Sequence, residues 1–368
     1  IETVVKEAEN GNTIMSTIDV NIQKMVEKRI EQWKTEVGSK QIGVVVMDPS
    51  NGEILSMATD KTYDLNNPRD LSSMYTQEEQ DAMSDEEKAN AWNQMWRNFC
   101  VSDTFEPGSP SKVFTVSAAL EENLVTPNTH FFCDGYQTIA GYNVKCTAFR
   151  KGGHGDLALD ETLMVSCNDA MMQMAAMEKK ETFKKYQDLF NLGSKTGIDL
   201  PGEADASTLV YQADNMGPMD LATNSFGQNY NCTMVQMAAA FASTINGGYY
   251  YEPHIVKQIL NESGSVVKKN DRLLVRETVS ASTSDFIRRA LVRTVAEGTG
   301  KAAQVAGYEV GGKTGTAEYS SDKEKDHSWF IGMSNVEDPE LVVSVIIEAS
   351  DGTAKAVNVA KEIFDSYY

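Results

Sequence analysis

Phe105-Glu106-Pro107-Gly108-Ser109-Pro110-Ser111-Lys112 is the stretch on which the reading of this chain turns. It sets a hydroxyl and an amine three residues apart. If the segment opens a helix, both lie on one face, where the amine can take the hydroxyl proton. Ser109 is then the candidate nucleophile and Lys112 its activator. Ser111 shares the segment but is rotated around the helix from Ser109 and faces the protein. Two more motifs follow in order, Ser166-Cys167-Asn168 and Lys313-Thr314-Gly315-Thr316, and the three together read as an acyl-transfer site.

No single motif decides this, because Ser-x-x-Lys recurs by chance and the third motif has a decoy at Lys195-Thr196-Gly197. Context separates the two copies. Lys313 follows Gly311-Gly312 and leads into Ala317-Glu318-Tyr319, with the apolar runs Trp329-Phe330-Ile331 and Leu341 to Ile347 close behind, a meander of strands. The decoy leads into Ile198-Asp199-Leu200-Pro201-Gly202, a loop.

Working outward, Gln41 to Met47 and Ile54 to Met57, joined by Pro49-Ser50-Asn51-Gly52, read as a hairpin. Lys112 to Glu122 reads as a buried apolar helix with Ser109 at its N-terminus, where the helix dipole favours an alkoxide and an oxyanion. Thr233 to Ile245, capped by Thr233 and stopped by Gly247-Gly248, and Ser282 to Glu297 read as further helices. Strands through Lys313 and Val342 and a helix from Ala354 to Asp365 complete an α/β chain, a sheet covered by helices. Ser166 and Asn168 are two apart, so sharing a cleft requires a turn or extended backbone there, with Cys167 pointing the other way.

These residues resemble the transpeptidase domain of a class B, monofunctional penicillin-binding protein of the elongation, division or sporulation type. Val46-Met47-Asp48-Pro49 through Gly52-Glu53-Ile54-Leu55, Gly197-Ile198-Asp199-Leu200-Pro201-Gly202-Glu203, Ser225-Phe226-Gly227-Gln228, Gln236 and Asn246-Gly247-Gly248 fit the same pattern, over nearly the whole chain. The acidic stretch 71–89 departs from it and reads as an insertion in a single domain over 1–368. The resemblance implies the fold of penicillin-binding and serine β-lactamase proteins, an antiparallel sheet covered by helices with an all-helical subdomain.

It also implies D,D-transpeptidation of peptidoglycan stem peptides through a Ser109 acyl-enzyme, with β-lactams as covalent mimics and no cofactor in the chemistry. Ser166 would assist proton transfer, Asn168 hold a substrate carbonyl, Lys313 provide positive charge, and Thr314 and Thr316 bind the terminal carboxylate. Gly315 would let substrate approach the strand, and the N–H groups of Ser109 and Thr316 would form the oxyanion hole. Burial and repulsion from Lys313 should lower the pKa of Lys112. The motif trio alone does not separate a transpeptidase from a carboxypeptidase, a serine β-lactamase or a non-catalytic sensor of β-lactam or peptidoglycan. The family implies an extracytoplasmic place at the bacterial membrane, an N-terminal anchor and pedestal absent from this chain, and a membrane glycosyltransferase as partner.

Cys133, Cys146, His154 and Cys167 form a second constellation, spaced by twelve, seven and twelve residues in a loop-rich segment containing Gly135, Gly141, Gly152, Gly153 and Gly155. Three thiolates and an imidazole suit a tetrahedral structural zinc, and some elongation-type members of the resembling family carry a structural metal near this position. A Cys133–Cys146 disulfide and free buried thiols, as expected for Cys100 and Cys232, are the alternatives.

With 368 residues, 41% of them hydrophobic, the chain can bury a large core. Its formal charge of −20 argues against nucleic acid and anionic lipid as partners.

Overall fold

Gln41–Met47 is apolar along most of its length because it lies inside a sheet with a hydrophobic layer on each side. Ile42, Val44 and Val46 enter one layer and Val45 and Met47 the other, following the two-residue period of a strand. A computed structural model of the chain describes residues 10–318, 326–350 and 355–368. The central sheet consists of β1 (Gln41–Met47), β2 (Ile54–Thr59), β3 (Val310–Glu318), β4 (Asp326–Ser334) and β5 (Leu341–Ser350). Its order is β3-β4-β5-β1-β2, and every adjacent pair is antiparallel. β3 is therefore an edge strand, with Gly315 opposite Trp329.

The principal helices are α1 (Val20–Glu36), α2 (Lys112–Glu121), α3 (Asn168–Leu189), α4 (Met234–Ile245), α5 (Ala281–Ala296) and α6 (Ala356–Tyr367). α1 starts at Asp19, whose carboxylate accepts the N–H groups of Asn21 and Ile22. Its buried stripe Ile22, Val26, Ile30 and Trp33 packs with Ile363 and Phe364 of α6 over one face of the sheet. The other face carries α4, all twelve of whose residues are buried, and the helical subdomain in which α2 packs on α3. The helices expected over 112–122, 233–245 and 282–297 are present, as is the hairpin of β1 and β2. The one expected over 354–365 is α6; Ala354, like Tyr319, lies outside the described residues.

The stretch 71–89 contains a short helix, Gln77–Ala82, and the start of a second, Asp85–Trp96, each opened by a reciprocal cap, Thr76 with Glu79 and Ser84 with Glu87. Trp92 and Trp96 stack at 6.4 Å and donate to the carbonyls of Arg69 and Pro68. Among the described residues no helix is long and apolar enough to cross a membrane.

Candidate active site

Ser109–Ser111 forms a single 3₁₀ turn that runs directly into α2. In such a turn residues three apart eclipse, which aligns Ser109 with Lys112 as their spacing predicts. Ser111 turns into the protein, its Oγ 2.6 Å from the hydroxyl of Tyr230. The turn is held by Gly227, whose carbonyl accepts the Gly108 N–H at 2.9 Å. Gly227 has φ +88°, and a Cβ there would meet the Gly108 carbonyl oxygen at 2.0 Å, so only glycine fits.

The second motif is a turn, as its spacing required. Ser166 is left-handed (φ 58°), and Cys167 caps α3, its sulfur accepting the Ala170 N–H. Ser166 Oγ is the hub of the cleft. It accepts from Lys112 Nζ at 2.9 Å and from Lys313 Nζ at 3.0 Å, and donates to Ser109 Oγ at 3.0 Å. Two lone pairs and one proton are all a hydroxyl has, so its bonding capacity is filled. Lys112 Nζ also donates to the Ser166 carbonyl at 2.7 Å. The direct Lys112–Ser109 contact expected from the sequence is corrected: among the described residues Lys112 is joined to Ser109 through Ser166.

Both amines are fully buried. Burial lowers the pKa of Lys112 to about 7, opposed by the electrostatic influence of the neighbouring Cys167–Cys146 pair. Burial also drives Lys313 well below the usual lysine range, and repulsion from Lys112 adds to it. The anticipated repulsion is thus expressed on Lys313, while Lys112 is lowered by burial.

Lys313 to Thr316 lie on β3, with Thr314 half-buried and Thr316 exposed beside a groove lined also by Thr299, Ser328 and Trp329. At Gly315 the strand meets the nucleophile turn. A Cβ there would meet Pro110 Cδ at 2.6 Å and the Pro107 carbonyl at 3.2 Å, so the glycine admits the nucleophile turn against the strand. A Cβ on Gly108 would lie 3.8 Å from Thr316 N, which brings the backbones of Ser109 and Thr316 to one end of the cleft. Asn168 is the half-buried first residue of α3. The decoy at 195–197 sits in a loop whose Thr196 N–H and hydroxyl are taken by Glu203 at 2.6 and 2.7 Å.

The family model described as penicillin binding protein transpeptidase domain matches residues 42–367. The chain belongs to this family. Stage V sporulation protein D of Bacillus subtilis is 35% identical over 350 residues, 94% of this chain and 51% of the relative. Peptidoglycan D,D-transpeptidase MrdA of Haemophilus influenzae is 29% identical, over 97% of this chain and 56% of its own length. The chain thus spans about half the length of these relatives. Penicillin binding protein 3 of Mycobacterium tuberculosis, solved in complex with ampicillin, superposes with a TM-score of 0.84 at 26% identity, covering 98% of this chain and 79% of that one.

In this transpeptidase-family chain the four Cys/His ligand atoms converge behind the cleft, all within 4.8 Å of one another. Cys133 Sγ and Cys146 Sγ each lie 3.6 Å from His154 Nδ1, and Cys146 Sγ lies 3.8 Å from Cys167 Sγ. Zinc bonds of about 2.3 Å to sulfur and about 2.0 Å to nitrogen put tetrahedral ligand atoms roughly 3.5–3.8 Å apart, the separation of these three pairs, and the donor set of three sulfurs and an imidazole suits the metal. All five cysteines are free, against the disulfide alternative. The hydrogen bond from Cys167 holds the Cys146 thiol far below its ordinary range, helped by N–H groups of Ala148, Asp169 and Asn168, and Cys167 is pushed up in turn.

Sequence reasoning missed the hub role of Ser166 and the clasp between Gly227 and Gly108. The second carried a signal, the glycine of Ser225-Phe226-Gly227-Gln228.

Proposed function

We propose that this chain is the catalytic domain of a peptidoglycan D,D-transpeptidase, and the observation that carries it is the Ser109–Ser166–Lys112 relay with its buried amine. Neutral Lys112 Nζ accepts the proton of Ser166 Oγ as Ser166 takes that of Ser109. Ser109 Oγ then bonds to the carbonyl carbon between the two terminal D-alanines of a stem peptide. Negative charge develops on the carbonyl oxygen, facing the N–H groups of Ser109 and Thr316. The C–N bond breaks, the relay returns its proton to the leaving D-alanine nitrogen, and Ser109 holds the rest as an ester. An acceptor amine attacks the ester and gives its proton to the relay, restoring Ser109. Lys313 Nζ holds Ser166 Oγ in line with Ser109, Thr314 and Thr316 face the substrate carboxylate, and Asn168 holds a substrate carbonyl. A β-lactam opens on Ser109 in the same way. Against a β-lactamase, among the described residues no carboxylate is hydrogen-bonded to Ser109, Ser166 or Lys112 to activate a deacylating water.

Fluorescent penicillin followed over hours, with a D-alanyl-D-alanine peptide and an added amine in parallel, tests this. Persistent label together with amine-dependent release of D-alanine is expected. Rapid loss of label would make the chain a β-lactamase, and persistent label without D-alanine release a sensor.

Cys133, Cys146, His154 and Cys167 would hold one structural zinc, which supplies folding energy and braces the wall behind Ser166 and takes no part in the chemistry. The domain comprises residues 1–368, with 71–89 as an insertion. The peptidoglycan D,D-transpeptidase name of the Haemophilus influenzae relative supports an extracytoplasmic, membrane-associated protein, and the family resemblance a tether to the membrane and a membrane glycosyltransferase as partner.

A further inference from the structure

Beneath Ser111, α2, α3 and the segment carrying Asn224 and Tyr230 enclose a cavity with about 10 Å³ open to the centre of a water molecule, about the room one water needs. Three polar side chains line it with atoms that have no partner among the described residues: both carboxyl oxygens of Glu178, both amide atoms of Gln187 and Oδ1 of Asn224. These residues are 2%, 4% and 0% exposed. Ser111 and Tyr230, bonded to each other at 2.6 Å, line the same cavity, so it ends on the nucleophile turn.

The backbone is bent beside Glu178. α3 is interrupted at Lys179 (φ 64°, ψ 163°), a region nearly closed to residues with a Cβ, and such strain persists only where the surroundings impose it. Among the described residues no cationic side chain lines the cavity. The titratable groups around Glu178 are Tyr186 of its own helix, Tyr230, and Glu122 at the end of α2, whose carboxylate is engaged by Lys185 and the Tyr186 hydroxyl. An unpaired buried carboxylate is among the costliest groups in a protein. The unpartnered atoms are four acceptors and one amide nitrogen, and a carboxyl proton with one water supplies the donors that are short.

We propose that this cavity is a binding site for one internal water, held by Glu178 as the neutral acid with Gln187 and Asn224, and that Glu178 is thereby a positioning residue for the nucleophile turn. Burial, reinforced by Glu122, raises its pKa well above the usual carboxyl value, in keeping with this. A raised carboxyl pKa contributes stability that is full below the unfolded value of about 4.3 and is lost as pH climbs toward the folded value.

The test compares wild type, Glu178→Gln and Glu178→Leu by melting temperature from pH 5 to 8, and by the rate constant and Kd for penicillin acylation. Glu178→Gln, which keeps the shape and cannot ionise, should gain on wild type by about 2 °C per pH unit as pH rises. It should acylate within about twofold of wild type, whereas Glu178→Leu slows acylation about tenfold at unchanged Kd. A carboxylic-acid C=O band in wild-type infrared spectra, absent in the Gln variant, confirms the protonated group if the Leu variant fails to fold. A pH-independent difference between wild type and Glu178→Gln overturns the proposal. So does a wild-type melting temperature raised by sodium or potassium over choline, which would put a cation on an ionised Glu178. Unaltered acylation in a folded Leu variant removes the positioning role. The acylation readouts rest on Ser109 being the nucleophile, while the melting and infrared readouts do not.

Discussion

Ser166 and Cys167 are neighbours in the chain and face opposite sides of one turn. Ser166 Oγ stands 3.0 Å from Ser109 Oγ in the cleft, and Cys167 Sγ stands 3.8 Å from Cys146 Sγ in the cluster behind it. The left-handed backbone at Ser166 makes this division, so a change of shape in the cluster reaches the hub over a single peptide bond.

Protein purified without added metal and freed of any histidine tag should therefore contain about one zinc per chain by elemental analysis. A strong chelator should lower the melting temperature by roughly 10 °C and slow acylation, while a reductant has no effect. A metal-free protein unmoved by chelator refutes the site.

Acylation should track neutral Lys112. Its rate should fall on the acidic side of about pH 7, approaching tenfold per pH unit. Lys112→Arg should acylate on the order of 10²–10⁴-fold more slowly, because guanidinium does not deprotonate. The sign for stability is opposite to that of Glu178. Between about 7 and the unfolded value of about 10.4 the unfolded chain binds a proton that the folded chain does not, so this lysine's contribution rises with pH. Melting curves of wild type against Lys112→Met over that window isolate it.

Ser109→Ala should remain folded and form no covalent adduct with a β-lactam. Mass spectrometry of the treated variant checks this, and an adduct on Ser111 would contradict the inward turn of that side chain onto Tyr230.

Gly227→Ala should be damaging well beyond its size. Its Cβ collides with the Gly108 carbonyl at 2.0 Å in a left-handed conformation, a combined cost of about 2–5 kcal/mol. Acylation should also slow at least tenfold as the turn carrying Ser109 shifts. Urea denaturation and stopped-flow acylation measure the two effects, and a variant unchanged in both would show that the clasp can relax.

What was legible in the sequence is what local spacing encodes. A spacing of three from Ser109 to Lys112 specifies one helical face, a spacing of two from Ser166 to Asn168 excludes one, and the unbroken apolar run at 42–47 marks a strand buried on both sides. The caps at Thr76 and Ser84 are also local, each a hydroxyl residue three positions before a glutamate. The convergence of Lys112 and Lys313 on one hydroxyl, the packing of Gly315 on Pro110 and the meeting of Glu178 with Asn224 join segments far apart in the chain. Periodicity carries no record of such meetings, which arise only when helices and sheet are packed.

β3 ends its side of the sheet, so one row of its backbone donors and acceptors has no strand beside it among the described residues. A bare row of that kind is a template on which a second chain can align and begin a fibre. The turn at Pro107–Pro110 packs against Gly315 in the middle of that strand, so the row does not run long and flat. On the transpeptidase reading proposed above, a substrate peptide and a second chain would compete for this one set of hydrogen bonds.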